Sequence, residues 1–419
     1  MLQRELLPND IWVVGEELEH YHSVSIGVWV SCGSSYESRD NNGISHFVEH
    51  LLFKGTEKRS ASQIVGEIEE VGGSIDGFTS REFSGYWVKI PSSHLEKALD
   101  ILSDLLLHPR FAREDFEKEK EVIIEEIKSA LDNPQEFLSD SFTQNFWEGS
   151  PWGFPILGRE DSVSRFSLEE VRNFYLEHYF NSPFIISLAG DFKFKEVLRT
   201  IEEKWGGIRW GRKKELPPPT RVKGSVFTFP RNLEQVHFIL GTPGVSQKTP
   251  LRFAFLVMES ILGGGMSSRL FQRVREEFGL VYEIFTFHLS TSTCGLLGIY
   301  GGSRGEKVRD AVRLILEEMR NMKEGKISEE EVEKNKEFLK GGIILSSENT
   351  QSRMSRLANQ QFYFGRIYSL EEVIERIERV KVEEVRKVAE KIFGGDSLNL
   401  AFLGRGDILE DLKKVKWNL

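Results

Sequence analysis

The chain has 419 residues, a hydrophobic fraction of 39% and a formal net charge of −10. That length exceeds what one hydrophobic core usually serves and predicts two or more domains. The acidic charge argues against nucleic-acid binding, which needs a basic surface, and two cysteines cannot build a disulfide framework. Because the first residues form no apolar signal and no window approaches the roughly 20 apolar residues of a membrane span, we expect a cytoplasmic protein without membrane contact.

Strand-like and helix-like segments alternate along both halves of the chain. The first half opens on the apolar run SVSIGVWVS (23–31) and closes on FIISLAGDF (184–192). The second half opens on QVHFILGTP (235–243) and closes on LNLAFLGRGD (398–407). Both halves therefore begin and end on an apolar strand, and the closing strands both run into glycine.

A basic, proline-rich segment separates these halves. It ends in three consecutive prolines, Pro217 to Pro219, which disfavour both helix and central strand. The sequence therefore predicts a first domain over 1–208, a linker over 209–222 and a second domain over 223–419.

A short internal match supports duplication of one domain. The sequence EKEKE begins at residue 117 and EKNKE begins at residue 333, an offset of 333 − 117 = 216 that places Gly342 opposite Glu126. Alternating strands and helices in each half indicate sheets packed with helices. We predict an α+β fold of two homologous α/β sandwich domains, each with an antiparallel-rich sheet.

The segment GISHFVEHLLFKGT (43–56) reads as an apolar helix with three polar side chains close together. Residues i and i+4 share a helix face, so His46 and His50 lie side by side with Glu49 next to them. Such groups are costly to bury unless bonded, and a zinc ion would satisfy them, with the glutamate placed to take a proton from water. H-x-x-E-H is a metallopeptidase motif; the alternative is two ordinary histidines beside a surface glutamate.

A third metal ligand must come from elsewhere, and the long helix predicted over 115–134 offers glutamates. Glu119 and Glu126 are seven residues apart, with Val122 and Ile123 between them on the same side. Carboxylates flanking such an apolar stripe could point inward, but a solvated Glu/Lys face is the commoner outcome. Spacing alone does not choose among the glutamates of this helix.

Several motifs, in order, resemble the pitrilysin/insulinase family of zinc metallopeptidases, and most of all its mitochondrial-processing-peptidase branch. NGISHFVEHLLFKGT resembles the zinc helix of that family, GREDSVSRFSLEEVRNFYLEHYF the stretch before the closing strand of the first half, and ILGGGMSSRLFQRVREEFGLVY the second-half signature. The resemblance covers nearly the whole chain.

The resemblance implies a ligand set. It places His46, His50 and Glu126 on zinc, the last because 126 − 50 = 76 matches the family spacing. It makes Glu49 the general base and gives Glu119 a supporting role beside the ligands. Since Gly342 stands opposite Glu126 and the second half lacks H-x-x-E-H, we expect one Zn²⁺ per chain.

The second-half segment RVREEFGLVY carries two further candidates. Arg275 and Tyr282 are seven residues apart, with Gly279 as a helix stop between them. By resemblance they bind substrate and the transition state, whereas the plainer interpretation is a solvated arginine and a half-buried strand tyrosine.

Peptide substrates are expected to bind through backbone contacts. GGSIDGFTSREFSGYWVKIP (72–91) reads as two strands, and an exposed edge can pair with an extended peptide. The resemblance places that edge at residues 75–79, with Asp76, Gly77, Phe78 and Thr79 as the substrate-binding candidates, although the family usually has Asn-Ala where this chain has Asp76-Gly77.

Two acids after the long helix extend the resemblance. In the processing-peptidase branch, acids ten and fourteen residues beyond the zinc-ligand glutamate meet a basic substrate residue, and here these positions are Glu136 and Asp140. Two surface acids without such a role are the alternative.

These features together predict a zinc endopeptidase for extended or unfolded peptides. Since one chain carries both the zinc motif and Arg275 with Tyr282, the resemblance implies a homodimer with sites shared between chains. The alternatives are a non-catalytic, scaffold-like member of the same fold and a zinc amidase for small substrates.

Overall fold

The computed structural model describes residues 1–180, 184–208, 215–216, 219–220 and 222–417. Most of the predicted linker at 209–222 lies outside the described residues, so the boundaries at 208 and 223 stay a prediction. The strands of the described residues are β1 Leu2–Leu6, β2 Trp12–Glu17, β3 Ser23–Val30, β4 Ser74–Thr79, β5 Ser84–Pro91, β6 Ile185–Gly190, β7 Ser225–Pro230, β8 Gln235–Pro243, β9 Glu283–Ser290, β10 Gly295–Arg304 and β11 Asn399–Gly404.

Helices fill most of the remaining described chain. The α-helices are α1 Ile44–Leu52, α2 Ala61–Glu69, α3 Leu95–Leu107, α4 Arg113–Asp132, α5 Pro134–Phe146, α6 Glu160–Val163, α7 Leu168–Tyr179, α8 Phe194–Trp205, α9 Arg252–Gly263, α10 Val308–Lys323, α11 Glu329–Ser346, α12 Thr350–Phe364, α13 Leu370–Glu378, α14 Val382–Phe393 and α15 Gly406–Lys413. The segment Phe271–Glu277 is π-helical, and single 3₁₀ turns occur at Ser34–Tyr36, Ser92–His94 and Pro151–Gly153.

The chain forms two compact units, and each is discontinuous in sequence. Unit 1 comprises Met1–Ser129, Phe154–Pro217 and Leu345–Ser369. Unit 2 comprises Ala130–Gly153, Pro218–Ile344 and Leu370–Leu419. Unit 1 therefore includes α12 from late in the chain, and unit 2 includes α5 from the first half.

Unit 1 is built on a six-stranded sheet in the order β1-β2-β6-β3-β5-β4. Strands β2 and β6 are parallel and the other pairs are antiparallel. Val24, Ile26 and Val28 of β3 enter the main core, whereas Trp29 points to the other face, where α12 contributes Met354 and Leu357. Helices therefore cover both faces of β3, which explains its nearly continuous apolar sequence.

Unit 2 repeats this plan with five strands in the order β7-β11-β8-β10-β9. Strands β7 and β11 are parallel and the other pairs antiparallel. The main core lies between the sheet and helices that include α9, α10 and α14, and α5 packs on β8 and β11. A Cβ at Gly241 would lie 2.4 Å from Phe142 Cζ, so glycine permits the close approach of α5 to β8.

The two units share the same strand connectivity, apart from the extra edge strand β1. The outer helices correspond too, since Asn133 caps α5 and Asn349 caps α12, and 349 − 133 is the offset of 216 found in the sequence. The predicted α+β fold with two sandwich domains is confirmed. Within the described residues, no helix is both long and apolar enough to cross a bilayer.

Candidate active site

Helix α1 carries polar side chains in an otherwise apolar sequence. Its residues Phe47, Val48, Leu51 and Leu52 are buried in the core of unit 1. His46 is buried as well, and its ring lies 4.5 Å from that of the residue one turn on, His50. The predicted side-by-side arrangement of the two imidazoles is therefore present.

A buried carboxylate holds the start of this helix. Gly43 caps α1 with φ 97°, a left-handed conformation that favours glycine. Both oxygens of Glu37 accept hydrogen bonds there, from the Asn42 side-chain amide and from the backbone N–H groups of Gly43 and Ser45, at 2.8 to 2.9 Å. Glu37 thus satisfies N–H groups that the first turn of a helix leaves unpaired. Burial raises the pKa of its carboxyl, and the hydrogen bonds from Gly43, Asn42 and Ser45 oppose that rise.

Helix α4 supplies two carboxylates to the same place. Its buried positions Phe116, Glu119, Ile123 and Ile127 follow the helical repeat, so Glu119 lies in the apolar stripe. Glu126 is half-buried, with a side-chain exposure of 43%. Val122 is exposed, contrary to expectation: the helix rotation buries Ile123 and leaves Val122 on the flank.

Three ligand atoms converge between the two helices. Glu126 Oε2 lies 3.9 Å from His46 Nε2 and 3.5 Å from His50 Nε2. Tetrahedral zinc with bonds of about 2.1 Å separates its ligand atoms by about 3.4 Å, so this donor set fits the ion. Among the described residues, it is the only group of three or more His, Cys, Asp or Glu whose ligand atoms all lie within 4.8 Å of one another.

Glu119 determines which nitrogen of His50 is free. His50 Nδ1 lies 2.9 Å from Glu119 Oε2, and Lys54 Nζ lies 2.7 Å from Glu119 Oε1. Although burial opposes it, these hydrogen bonds lower the pKa of Glu119, which stays a carboxylate. It therefore accepts from Nδ1–H, so Nε2, which faces Glu126, is the nitrogen of His50 that would bind a metal, as in other histidines with carboxylate partners.

The protonation of the two imidazoles differs because their neighbours differ. Burial, together with nearby His50, lowers the pKa of His46 to about 3. Burial also acts against protonation of His50, but Glu119 and Glu126 outweigh it and raise the pKa of that imidazole. A divalent cation would replace the proton in balancing these carboxylates, since metal ligands must be deprotonated.

Glu49 lies beside the ligands with one oxygen already bonded. Thr79 Oγ1 donates to Glu49 Oε2 at 2.5 Å, across from β4 to α1. Burial raises the pKa of the Glu49 carboxyl, and the Thr79 hydrogen bond opposes that rise. The second oxygen of Glu49 takes no part in this bond, so the carboxylate has an acceptor for a further proton.

Strand β4 contains the residues predicted to pair with substrate and lies at the edge of its sheet. Asp76 is exposed on it and Phe78 packs beneath the sheet against Trp29. A Cβ at Gly77 would lie 2.8 Å from Phe53 Cε2, so Phe53 would have to shift to accept alanine. Packing against Phe53 therefore explains why this chain has glycine at position 77, where the family usually has alanine.

Arg275 and Tyr282 belong to unit 2. Arg275 lies in the π-helical segment, with 41% side-chain exposure, and Gly279, at φ 56°, donates to its carbonyl and stops the helix as predicted. Tyr282 is 50% exposed just before β9. Both side chains are thus open to solvent within their unit.

Glu136 and Asp140 also belong to unit 2, on α5. Glu136 is exposed in the first turn, where its Oε1 accepts from Asn133 Nδ2 at 2.9 Å. Asp140 is half-buried one turn later. Their predicted contact with a basic substrate residue stays a prediction.

Two features of the site were missed from the sequence. Glu37 lies outside any helix or strand periodicity, so no spacing rule links it to α1. Thr79 was expected to bind substrate, but its hydroxyl contacts Glu49, a pairing that follows only from the packing of β4 against α1. An acid six residues before a helix-capping glycine was the only available signal for Glu37.

Comparison with known proteins identifies the protein family to which the chain belongs. Residues 12–160 match the family described as Insulinase (Peptidase family M16), and residues 165–339 match the Peptidase M16 inactive domain. The chain belongs to this family of metallopeptidases. Its first half thus corresponds to the domain that bears the candidate site, and its second half to the domain named as inactive.

Curated relatives of similar length carry matching names. The uncharacterized zinc protease YmxG of Bacillus subtilis is 34% identical over 397 residues, which cover 94% of this chain and 97% of the relative. An uncharacterized zinc protease of Streptomyces coelicolor is 33% identical over 401 residues, covering 94% of this chain and 87% of the relative.

Solved structures share the fold at low identity. A protease from Helicobacter pylori superposes with a TM-score of 0.89 at 20% identity, over 96% of this chain and 99% of that chain. A chain of complex III2 from Candida albicans superposes with a TM-score of 0.85 at 21% identity, over 98% of this chain and 97% of that chain.

The buried Glu37 carboxylate gives a first testable prediction. Glu37→Gln keeps the size of the side chain, but its amide group places N–H donors against the N–H groups that start α1. We expect the free energy of unfolding to fall by about 2 kcal/mol, the scale of a hydrogen bond to a charged group, measured by urea denaturation. The exposed Glu57→Gln is the control; equal stability of both variants and the parent would contradict the capping role.

Proposed function

We propose that this chain is a zinc-dependent endopeptidase that hydrolyses peptide bonds in extended or unfolded peptides. The observation that carries the proposal is the convergence of His46, His50 and Glu126 next to Glu49. The zinc protease names of relatives that cover almost the whole chain support it.

The residues divide the chemistry between them. His46, His50 and Glu126 would hold the ion, which when bound supplies a Lewis acid that makes a water molecule acidic near neutral pH. Glu49 accepts a proton from the attacking water, and Thr79 holds the glutamate through its other oxygen. Burial favours proton uptake by Glu49, as its raised pKa shows, and the same carboxyl can later deliver the proton to the leaving amine.

The edge strand β4 supports a long peptide as substrate. A peptide added beside β4 would gain main-chain hydrogen bonds along several residues, and Thr79 on that strand contacts Glu49. The reacting carbonyl would thereby be brought close to the base. A small amide would use little of this edge, which argues against an amidase, and exposed Asp76 adds negative charge beside the bound peptide.

Stabilisation of the developing oxyanion calls for hydrogen-bond donors aimed at the reacting carbonyl. We assign this role to Arg275 and Tyr282, both solvent-accessible in unit 2. Following the processing-peptidase-like branch, we propose a homodimer in which these side chains act on the zinc site of the partner. A cytoplasmic location is part of the same proposal.

A quenched fluorescent peptide separates the candidate functions. Cleavage that a chelator abolishes supports the endopeptidase, whereas a scaffold-like protein would cleave neither peptides nor small amides. The intact set of His46, Glu49, His50 and Glu126 argues against the scaffold. Cleavage of small amides without cleavage of peptides would favour the amidase.

Glu49→Gln tests the base. Glutamine keeps the size of the side chain and can accept the Thr79 hydrogen bond, but it cannot take up a proton at catalytic pH. We expect zinc content to be unchanged and kcat to fall at least ~100-fold, the low end for a general base. A variant with near-normal kcat would show that another group accepts the proton.

Glu126→Gln tests the ligand set. We expect one zinc per wild-type chain by elemental analysis and loss of tight zinc binding in the variant, because a neutral amide is a poorer ligand than a carboxylate. Glu125→Gln is the matched control, since Glu125 is the next residue of α4, is 72% exposed and pairs with Lys128. Two tightly held zinc ions per chain, or full occupancy in Glu126→Gln, would refute the assignment.

Complementation tests the shared site. One inactive protein carries Glu49→Gln and the other carries Arg275→Ala with Tyr282→Phe. After subunit exchange, a mixed dimer contains one site with both contributions intact and should regain up to about half the wild-type activity per dimer, since the symmetric dimer has two equivalent sites.

The control for this experiment mixes two zinc-side lesions, Glu49→Gln and Glu126→Gln. Neither site of that mixed dimer is intact, so no activity should return. If subunit exchange is verified by differential labelling and the first mixture stays inactive, the two motifs act within one chain and the dimer model is wrong.

A further inference from the structure

The segment that ends in Tyr282 is tied closely to the last residues of β10 and to Lys307 in the turn that follows. Four hydrogen bonds among the described residues join them: Tyr282 N to Gly302 O (2.9 Å), Ser303 Oγ to Leu280 O (2.5 Å), Lys307 Nζ to Gly279 O (2.9 Å) and Arg304 Nε to Tyr282 Oη (2.6 Å). The first three bonds fix the backbone. The fourth is the one that reaches the phenol itself.

The hydrogen bond from Arg304 determines whether the Tyr282 hydroxyl accepts or donates. A guanidinium has five N–H donors and no acceptor, so in this pair the Tyr282 oxygen must accept. The phenolic hydrogen is therefore left free to donate to a second partner. The guanidinium carbon lies 5.9 Å from the ring centroid, so the arginine also contacts the ring at the outer limit of a cation–π interaction.

Both side chains lie at the surface of unit 2, where such a bond contributes little to folding. Arg304 is exposed and Tyr282 is 50% exposed, and exposed charged contacts contribute little to stability. Two flexible side chains nevertheless share one short, charge-assisted hydrogen bond. A bond of this kind is better explained by the orientation it imposes than by the stability it adds.

We propose that Arg304 is a positioning residue for Tyr282, which it holds as a hydrogen-bond donor to the substrate oxyanion. This inference rests on the proposed function, in which Tyr282 acts on the scissile carbonyl. Arg304 reaches the reaction through the phenol, and its charge also favours the negative oxygen that the phenol would bind.

A double-mutant cycle tests the proposal. Arg304→Met keeps the length of the stem and removes the donor, and Tyr282→Phe removes the hydroxyl. We expect Arg304→Met to lower kcat for a quenched peptide about 10-fold, the low end for a hydrogen bond to a charged group, with KM and the melting temperature nearly unchanged. In the Tyr282→Phe background the same substitution should have almost no effect, because the group it positions is absent.

A conservative variant and a control sharpen the result. Arg304→Lys keeps a charged donor and should recover part of kcat, whereas Arg309→Met, at an exposed position early in α10, should behave as wild type. Equal losses from Arg304→Met with and without the Tyr282 hydroxyl would overturn the positioning role, and so would a full-strength kcat in Arg304→Met.

The outcomes separate this inference from the proposed function. If Tyr282→Phe retains full activity, the assignment of Tyr282 fails and the inference fails with it. If Tyr282→Phe is impaired while the effect of Arg304→Met is absent or independent, only the inference is wrong. Zinc content should be the same in all variants, because every substitution lies outside the zinc-binding half.

Discussion

Polar groups placed inside an apolar core need partners, and the first unit is organised around that requirement. Helix α1 carries His46, Glu49 and His50 among apolar residues that are buried in the core. An uncompensated polar group there would cost more than most single contacts return. The surrounding elements therefore bring the partners: Glu37 at the helix start, Thr79 from the edge strand, and both Glu119 and Glu126 from α4. The geometry of a metal site follows from packing these elements together.

The duplicated scaffold shows how little must change for the site to disappear. Both units have the same strand connectivity and matching asparagine-capped outer helices. In the second unit, Gly342 occupies the position of Glu126, and a Cβ there would meet nothing within 4 Å. Space for a ligand exists, but no ligand is present at that position. The fold is thus retained by its core, while the candidate ligand set depends on a few side chains whose absence in the second unit leaves the sheet and helices intact.

The sequence predicted those parts of the site that obey a local repeat. His46 and His50 follow from the spacing of four on one helix, and the strand at Ser74–Thr79 from its alternation and turns. Spacing did not single out Glu126, the third candidate ligand, because Glu119, Glu126 and their neighbours are equivalent by spacing; only the family resemblance did. The rotation of α4 that buries Ile123 but exposes Val122 is set by tertiary packing. Glu37 and Arg304 were also beyond reach. Glu37 meets the start of α1 from a loop, and Arg304, the last residue of β10, meets Tyr282 just before β9; neither pairing follows from a local repeat.

One principle of hydrogen bonding operates in both units. A carboxylate can only accept, so Glu119 obliges His50 to donate from Nδ1 and leaves Nε2 as the nitrogen that would bind a metal. A guanidinium can only donate, so Arg304 obliges Tyr282 to accept and to keep its hydrogen available. In each case the neighbour can only donate or can only accept a hydrogen bond. It therefore fixes whether the other group, which could do either, donates or accepts. Side chains that are chemically versatile in isolation thereby acquire one role, and that role is fixed before any substrate arrives, which is how a site avoids reorganisation during the reaction.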